Sequence, residues 1–498
     1  MLNRYFVVVD AGTSRMRCSM FDESGEPLCT TASDWRYAIT KDGPMLAREF
    51  DPDWLAAELR ELIARCIGTS GVARREIVAV SVTSQRQALA FLSQGDNTLY
   101  VGPNTDLRAV FEGGAIDEEM GDSVYETTGH LPSLLLAPAK LKWFEANRPE
   151  GYARISRVLT LADWIVWNLT GEPASEVTLA GEAGLIALRE RTWCESLLAD
   201  LRLPQPGVPL VRSGTVVGTV TAEAAATTGL PADTPVVAAG ADTQCGLLGL
   251  GISEEGGAGV VAGWSVPIQI TTNRPVLSPA HKTWAGCWLD PALWVLESTA
   301  GDAGNSYRWL SCLLFGREAF DEMDALAGSA PVGSDGATAL LGPSRMDVSR
   351  LGMSQGGLHF PVPLAVSDLG RPQIVRSAIE AVAYAVRSNL EQAEEVAGVR
   401  ALQISVGGGM TRSKTFVRVL ADVLGREVFL STEPGASAAG AYLCARTGVG
   451  DFDSLGEATA SGMPRLRSVE PDPLGSAEYD GLYQHWTELS GQIEALGL

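Results

Sequence analysis

Residues 5–17 read YFVVVDAGTSRMR. The apolar run Tyr5–Val9 predicts a buried strand, and the small polar residues 10–14 predict a tight turn directly after it. A second strand is expected over Met16–Phe21, followed by a turn and a third strand over 27–32. The chain therefore opens with a predicted antiparallel meander of three strands.

Helices alternate with strands after this meander. The first predicted helix begins beyond Asp51, which can cap it, and Pro52 suits its first turn. Apolar residues then recur on one helical face as far as Cys66. Two strands follow over Ile77–Thr83 and Ala88–Leu92, with a polar loop between them. This alternation indicates an α/β domain.

The second half of the chain repeats the plan without repeating the sequence. Glycine-rich segments near 240–265 mark a change of domain, and a second meander is expected over Ala258–Gly263 and Val266–Thr271. A long helix over Ile374–Val396 and a strand over Leu402–Val406 come later, and a further helix is expected from about Thr411 to Leu424, ended by Gly425. We therefore predict two α/β domains, residues 1–249 and 250–498.

The charge of the chain limits its partners. Its 498 residues include 38 Lys or Arg and 60 Asp or Glu, which gives a formal net charge of −22. This balance argues against nucleic acid, which needs basic patches, and against an anionic membrane surface. A phosphorylated ligand would have to be held locally, by backbone N–H groups, one or two cations and a metal ion.

Cysteine usage and the N-terminus indicate a cytoplasmic protein. The eight cysteines include no C-x-x-C pair, which fits buried thiols in a reducing compartment rather than a zinc site. The short apolar run before Asp10 is typical of a strand and not of a signal peptide. The apolar stretch 236–251 is interrupted by Asp242 and rich in glycine, so no membrane span is expected there.

The first candidate site is the turn after the opening strand. Asp10 can hold a metal ion, Gly12 lets backbone approach a phosphate, and Thr13, Ser14 and Arg17 add donors. A plain hairpin turn would have a similar composition, since these residue types favour turns. The position directly after a fully apolar strand favours the functional interpretation.

The second candidate is Asp242 in the segment VVAAGADTQCG. A carboxylate that follows a small apolar strand lies at a strand end or domain seam, where general bases are often found. The same residue could instead cap a helix or form a salt bridge at the seam.

Two further segments are polar or glycine-rich. The segment 406–416, VGGGMTRSKTF, could receive an anion or a flat base at a helix N-terminus, although its glycines could simply allow close packing. It departs from a true P-loop at Ser413. Residues 84–87 and 104–108, SQRQ and NTDLR, suit a polyhydroxylated ligand but could also form an ordinary polar surface.

Taken in order, these segments resemble the FGGY family of carbohydrate kinases. The matching stretches are DAGTSRMR at 10–17, SQRQ, NTDLR, AKLKWFEANRPE at 139–150, LTLADWIVWNLTGEP at 159–173, AAGADTQCGLLGLG at 238–251, and the regions 375–392, 406–428 and 433–445. No single motif is decisive, and it is their order along the chain that is specific.

The resemblance implies an actin-like fold, with two ribonuclease H-like α/β domains and a cleft between them that holds ATP and sugar. It implies phosphorylation of a hydroxyl of a small sugar, ketose or polyol, with Mg²⁺ as cofactor. By matching position, Asp10 would hold Mg²⁺, Asp242 would be the catalytic base, and the sugar would contact Gln85, Arg86, Asn104 and Asp106. ATP would contact Gly12, Thr13, Ser14, Arg17, Gly263, Ser265, Gly304, Arg308, Gly408, Gly409 and Ser413.

The sequence also departs from the family pattern. Trp264 replaces the usual Thr of the second phosphate turn, Asn104 replaces a common Trp, and the loop 342–357 is unusual. The N-x-D-x-R motif at 104–108 is similar to the corresponding motif of autoinducer-2 kinases, while TSQRQ at 83–87 is similar to that of glycerol kinases. A non-catalytic nucleotide- or sugar-binding homologue and an actin-like ATPase are therefore alternatives. The default expectation for assembly is a homodimer.

Overall fold

The computed structural model describes residues 3–38, 45–349, 355–362, 369–431, 435–461 and 466–495. Parts of two stretches singled out in the sequence, residues 350–354 and 433–434, lie outside the described residues. Within the described part, two large sheets of six and seven strands form the centres of the two domains.

The first half of the chain contains the first large sheet and a smaller three-stranded sheet. Its strands are β1 (Tyr5–Ala11), β2 (Arg15–Phe21), β3 (Pro27–Asp34), β4 (Tyr37–Ala38), β5 (Glu49–Phe50), β6 (Ile77–Ser84), β7 (Leu89–Ser93), β8 (Thr98–Gly102), β9 (Ile155–Thr160), β10 (Ser175–Glu176), β11 (Ile186–Ala187), β12 (Thr192–Trp193), β13 (Leu210–Val211), β14 (Thr215–Thr219) and β15 (Pro235–Ala241). Its helices are α1 (Pro52–Ser70), α2 (Val110–Thr128), α3 (Ala137–Asn147), α4 (Pro149–Tyr152), α5 (Leu161–Thr170), α6 (Val177–Glu182), α7 (Glu195–Asp200), α8 (Ala222–Thr228) and α9 (Asp242–Gly249).

The second half contains the second large sheet and longer helices. Its strands are β16 (Gly257–Val261), β17 (Pro267–Thr272), β18 (Trp284–Cys287), β19 (Trp294–Thr299), β20 (Thr338–Leu340), β21 (Gly357–His359), β22 (Gln403–Gly407), β23 (Val428–Ser431) and β24 (Leu466–Val469). Its helices are α10 (Ala303–Phe315), α11 (Phe320–Ser329), α12 (Arg371–Ala397), α13 (Lys414–Leu424), α14 (Ala436–Gly448), α15 (Leu455–Ser461) and α16 (Pro473–Ala495).

The two large sheets share one topology. In the first, β1, β2 and β3 form an antiparallel meander, and β6 and β15 add parallel strands beside β1. In the second, β16 and β17 form the antiparallel hairpin, β19 pairs antiparallel with β17 and carries β18 on its outer edge, and β22 and β23 add parallel strands beside β16. The two predicted meanders and the α/β class are thus confirmed.

Local signals explain several element ends. The Asp51 carboxylate accepts hydrogen bonds from the N–H groups of Asp53 and Trp54, so it caps α1 as expected. Gly425 ends α13 in the left-handed conformation. The helix predicted from about Thr411 begins only at Lys414, because a short 3₁₀ turn occupies Gly409–Arg412.

The opening strand is apolar throughout because both faces of its sheet are covered. Val7 and Val9 belong to a core that includes side chains of α1, α5 and α8. Phe6 and Val8 point to the opposite face, where they belong to a core with side chains of α14 and α15. This arrangement produces the continuous hydrophobic run typical of a strand buried on both faces.

Helix α14 therefore packs on the first sheet although it lies late in the chain. It also packs tightly on α9, the helix that begins at Asp242. A Cβ atom on Gly440 would overlap the carbonyl oxygen of Cys245, and one on Gly249 would overlap that of Ala436. Glycine at these two positions allows the backbones of α9 and α14 to touch.

We expect Gly440→Ala to lower the free energy of unfolding by about 1–3 kcal/mol or more, because the added methyl group meets rigid backbone. Urea denaturation monitored by circular dichroism would measure the change. Gly481→Ala is the matched control, because Gly481 lies in α16 and an added methyl group there would meet no neighbouring side chain or segment within 4 Å. An alanine there should stabilise the exposed helix by up to about 1 kcal/mol. Equal stability of the two variants would contradict the close approach of α9 and α14.

None of the helices within the described residues combines the length and apolar character that crossing a membrane would require.

Candidate active site

Asp10 lies next to the end of β1, and the strand pairing sets it opposite Arg17 on β2. The side chain is buried, and Arg17 Nη1 lies 3.9 Å from its Oδ2 atom. Burial raises the pKa of Asp10, whereas the positive charge of Arg17 acts in the opposite direction. Thr13 and Ser14 follow in the partly exposed turn between the two strands.

The Asp10 carboxylate fits a role as a cation ligand. Its Oδ1 atom is buried and has no hydrogen-bond partner among the described residues. Within that part of the chain, no group of three or more His, Cys, Asp or Glu side chains could hold a metal ion. Mg²⁺ suits such a site, because it is usually bound by one or two carboxylates together with water and substrate phosphates.

Asp242 occupies the first turn of α9, directly after β15. The backbone before it is held at two points: Thr83 Oγ1 donates to the Gly240 carbonyl at 2.7 Å, and the Ala241 N–H donates to Thr178 Oγ1 at 3.0 Å. Strand β15 and these two hydroxyl groups therefore fix the direction in which α9 begins.

The surroundings of Asp242 raise its pKa toward neutral pH. Burial raises its pKa to about 7, with a further contribution from the negative charge of Asp10. The Arg86 guanidinium and hydrogen bonds from Thr243 lower the pKa and oppose these effects. A carboxylate with a pKa near 7 is well suited to accept a proton at physiological pH.

The turn between β1 and β2, residues 12–14, is hydrogen-bonded to the loops predicted to contact the sugar. Asn104 Nδ2 donates to Thr13 Oγ1 at 3.1 Å, and the Asn104 N–H donates to Gln85 Oε1 at 3.1 Å. Gln85 Nε2 in turn donates to the Gly12 carbonyl at 3.4 Å. The structure thus brings Gln85, Asn104 and the 12–14 turn together, although they come from three separate segments.

Asp106 has a different environment. Its Oδ1 accepts the Arg48 N–H at 2.9 Å, while its Oδ2 accepts Tyr100 OH at 2.5 Å and Arg108 Nε at 2.7 Å. The residue is fully buried. These bonds use both carboxylate oxygens to hold the loop, so the structure favours a structural role for Asp106 over ligand contact.

Arg86 joins the two domains. Its guanidinium donates to both oxygens of Glu297 on β19, at 2.6 and 3.0 Å, and to Glu182 Oε2 on α6 at 3.2 Å. The same group lies 5.5 Å from the ring centroid of Trp284. Both carboxylates are buried, so this is a buried charged cluster and not a surface ion pair. It lies in the seam, the region around Asp10, Arg86 and Asp242 where the two domains meet.

Neighbouring polar side chains extend this cluster. Gln244 Nε2 donates to Glu182 Oε1 at 2.7 Å, His130 Nε2 lies 3.3 Å from Glu182 Oε2, and Gln269 donates to Glu297. Sequence reasoning missed all five of these residues. The signal for Glu297 was present, because it is the sole charged residue in the strand WVLEST.

Several buried polar atoms around the seam have no hydrogen-bond partner among the described residues. The atoms in question are Gln87 Nε2, Asn104 Oδ1, Gln244 Oε1 and Gln269 Oε1. Buried polar groups in proteins normally have partners. A concentration of unpartnered donors and acceptors is therefore typical of a site for a polyhydroxylated ligand and its ordered water.

The second predicted phosphate turn lies between β16 and β17. A Cβ atom on Gly304 would overlap the Gly263 carbonyl oxygen, and the Gly304 N–H donates to the Trp264 carbonyl at 2.9 Å. The N-terminus of α10 therefore packs directly on this turn. Ser265 is exposed beside it.

The glycine segment after β22 packs on the same turn. Gly408 has a φ of +99°, and a Cβ atom there would overlap the backbone of Ala262. The Met410 N–H donates to the Ala262 carbonyl at 3.0 Å. The structure thus brings Gly263, Ser265, Gly304, Gly408 and Gly409 into one backbone-rich region.

Trp264 and Arg308 form an exposed stack at this turn. The Trp264 side chain is 43% exposed, and the Arg308 guanidinium lies 5.8 Å from its ring centroid. Arg308 Nε also donates to Glu318 at 2.5 Å. Glu318 therefore already partly neutralises the positive charge that was predicted to meet the nucleotide.

Ser413 caps a helix. Its hydroxyl accepts the Phe416 N–H at 2.9 Å and donates to Asp324 Oδ1 at 2.6 Å. Both bonds hold the beginning of α13. The side chain is therefore committed to local structure, and only its position near the glycine segment relates it to the predicted nucleotide region.

The sequence matches two domain models of one protein family. Residues 5–249 match the N-terminal domain of the FGGY family of carbohydrate kinases, and residues 260–448 match its C-terminal domain. The chain is 28% identical over 489 residues to the provisionally named sugar kinase YoaC of Bacillus subtilis (strain 168), covering 97% of this chain and 96% of that protein. It is 27% identical over 511 residues to the autoinducer-2 kinase of Salmonella typhimurium (strain LT2), covering 99% and 95% respectively.

Solved structures show the same architecture. The xylulose kinase of Rhodospirillum rubrum is 26% identical, superposes with a TM-score of 0.86, and is matched over 99% of each chain. The glycerol kinase of Plasmodium falciparum, at 17% identity and a TM-score of 0.85, shares the fold. Because the two family domains together match most of its length, the chain belongs to the FGGY family of carbohydrate kinases and has the two-domain, actin-like fold of that family.

Proposed function

We propose that this carbohydrate kinase transfers the γ-phosphoryl group of ATP to a hydroxyl of a small sugar, ketose or polyol, with Asp242 as general base. The observation that carries the proposal is the position of Asp242 at the seam. There its pKa lies near 7, and it is influenced by the charges of Asp10 and Arg86. The acceptor hydroxyl gives its proton to the Asp242 carboxylate while its oxygen attacks the γ-phosphorus, and ADP leaves.

The remaining residues of the seam position the two substrates. Gln85, Arg86 and Asn104 border the acceptor, and the unpartnered amide atoms nearby supply donors and acceptors for its hydroxyl groups. Asp10 is the residue that would hold Mg²⁺, and the ion would neutralise charge on the transferring phosphoryl group.

The nucleotide is proposed to lie between the two turns. Backbone N–H groups of residues 12–14 and 264–265 would face its phosphates, with Arg17 beside them, whereas the Gly263 N–H bonds within its own turn. Gly304 and Gly408 support this proposal, because without side chains they let the N-terminus of α10 and the segment after β22 pack directly on the backbone of the 262–265 turn. Gly409 follows directly on Gly408.

The test is acceptor-dependent ADP formation with Mg·ATP across a panel of sugars and polyols. The panel should include xylulose, glycerol and autoinducer-2, because relatives of this chain bear those names. We expect ADP release that requires one acceptor class. Equal release without acceptor would favour an actin-like ATPase, and nucleotide binding with no release under any condition would favour a non-catalytic homologue.

The pH dependence of kcat/KM is a second test. Because the pKa of Asp242 is raised to about 7 and the base must be ionised, kcat/KM should rise about tenfold per unit below pH 7 and level off above it. A pH–rate profile in buffers of constant ionic strength would measure this limb. A flat profile across the acidic range would contradict the assignment of Asp242 as the base.

A further inference from the structure

The cluster of Glu182, Arg86 and Glu297 affects which substrates the acceptor site can select. This inference rests on the acceptor site proposed above. Arg86 is the cation of that site, and a free guanidinium would make it suitable for an acidic sugar. In this chain, however, the guanidinium already makes three hydrogen bonds to two buried carboxylates.

Carboxylates outnumber cations around Arg86. Glu297, Glu182 and Asp242 all act on it, so three carboxylates surround the guanidinium, and His130, 3.3 Å from Glu182, is a second group that can carry positive charge. Although burial raises the pKa of Glu182, the charges of Arg86 and His130 lower it to about 2, so Glu182 stays ionised. Even with His130 protonated, the two cations face two ionised carboxylates, or three when Asp242 is also ionised, so the cluster has no positive charge left over for an anionic ligand.

Lys140, a further cation of this region, is turned toward the backbone. Lys140 is buried, and its Nζ donates to the Gln87 carbonyl at 3.1 Å. Among the described residues, the unpartnered atoms that remain near the cluster belong to the neutral amide side chains of Gln87, Asn104, Gln244 and Gln269. Such groups bind hydroxyl and carbonyl oxygens without requiring a charge on the ligand.

We infer that Glu297, a residue of the second domain, acts with Glu182 to saturate Arg86 and so makes the acceptor site selective for uncharged polyols and ketoses over sugar acids. Glu297 is a positioning residue in this scheme, because it acts on the acceptor through Arg86. A carboxylate on the ligand would meet like charges in a desolvated seam, which is a strong basis for rejection.

The experiment measures binding and does not require turnover. Full-length protein with Mg·ADP is titrated calorimetrically with matched neutral and acidic compounds: threitol and threonate, xylitol and xylonate, glucitol and gluconate, with xylulose as a neutral ketose. We expect at least one neutral compound to bind about 10²-fold or more tightly than any acid. Equal binding of an acid and its neutral partner, or no neutral-selective binding anywhere in the panel, would overturn the inference.

Variants then separate the role of Glu297 from simple structural damage. Glu297→Gln keeps the size and hydrogen-bonding oxygen but removes a charge, so the neutral-to-acid preference should fall about tenfold. Glu297→Asp keeps the charge and should retain the preference. Loss of affinity for neutral and acidic compounds alike in Glu297→Gln would indicate a structural role only and would overturn the assignment.

Glu380→Gln is the matched control. Glu380 is also a buried glutamate of the second domain that pairs with an arginine, Arg376, but its other partners are Gly333, Ser334 and Tyr479. The Glu380→Gln variant should prefer neutral over acidic compounds to the same degree as the parent protein. Selective binding without ADP formation would refute the proposed kinase reaction while leaving this inference intact.

Discussion

Asp242→Asn should lower kcat by about 10²–10⁴-fold, because an amide cannot accept the proton of the attacking hydroxyl. The affinity for the acceptor should change much less, since Asn keeps the size of the side chain and the hydrogen-bonding oxygen that Thr243 contacts. Steady-state assays with the best acceptor of the panel, together with calorimetric binding of that acceptor, would measure both quantities. The acidic limb of the pH profile should disappear in the residual activity.

Glu176→Gln is the control for this substitution. Burial also raises the pKa of Glu176 to about 7, but its carboxylate is occupied by hydrogen bonds from Thr178, Leu179 and Ser213. A raised pKa without access to the acceptor should not support catalysis, so kcat should stay within a few-fold of the parent value. Full turnover by Asp242→Asn would show that another group takes the proton.

Asp10→Asn should reduce kcat/KM for Mg·ATP on the order of 10²-fold or more, because the proposed cation ligand loses its charge. A second effect is specific to the geometry of this seam. The negative charge of Asp10 is one cause of the raised pKa of Asp242, so its removal should shift the acidic limb of the pH profile to lower pH. Titration of activity with Mg²⁺ and a pH–rate profile would measure the two effects.

Asp34→Asn is a suitable control for Asp10→Asn. Asp34 ends β3 of the same meander, but its side chain is exposed and pairs only with Arg15 among the described residues. Neither the Mg²⁺ requirement nor the pH profile should change, since exposed ion pairs contribute little. If Asp10→Asn left both measurements at parental values, Asp10 would be neither the cation ligand nor a determinant of the Asp242 pKa.

Much of the fold could be predicted because local patterns determine it. The apolar run before Asp10, the cap at Asp51 and the terminating Gly425 each act within a few residues, and the structure agrees with all three. The position of Asp242 at a strand end was also readable, since a carboxylate after a small apolar strand is a local signal.

Other predictions depended on contacts that no local pattern encodes. Asp106 and Ser413 have the residue types of ligand contacts, but their oxygens bond to Arg108 and Asp324, and these bonds are visible only in the folded chain. The same holds for α14, which packs on the first sheet although it lies late in the sequence.

The sequence alone therefore determined the two meanders, the polar turn after the first strand and the family to which the chain belongs. Tertiary structure decided which buried charged side chains pair with one another where the two domains meet. Arg86 and Glu297 are separated by 211 residues, and only the apposition of the two sheets brings them together. Strand and helix signals act over short range, whereas the electrostatics of a buried site depend on every charge the fold brings within a few ångströms.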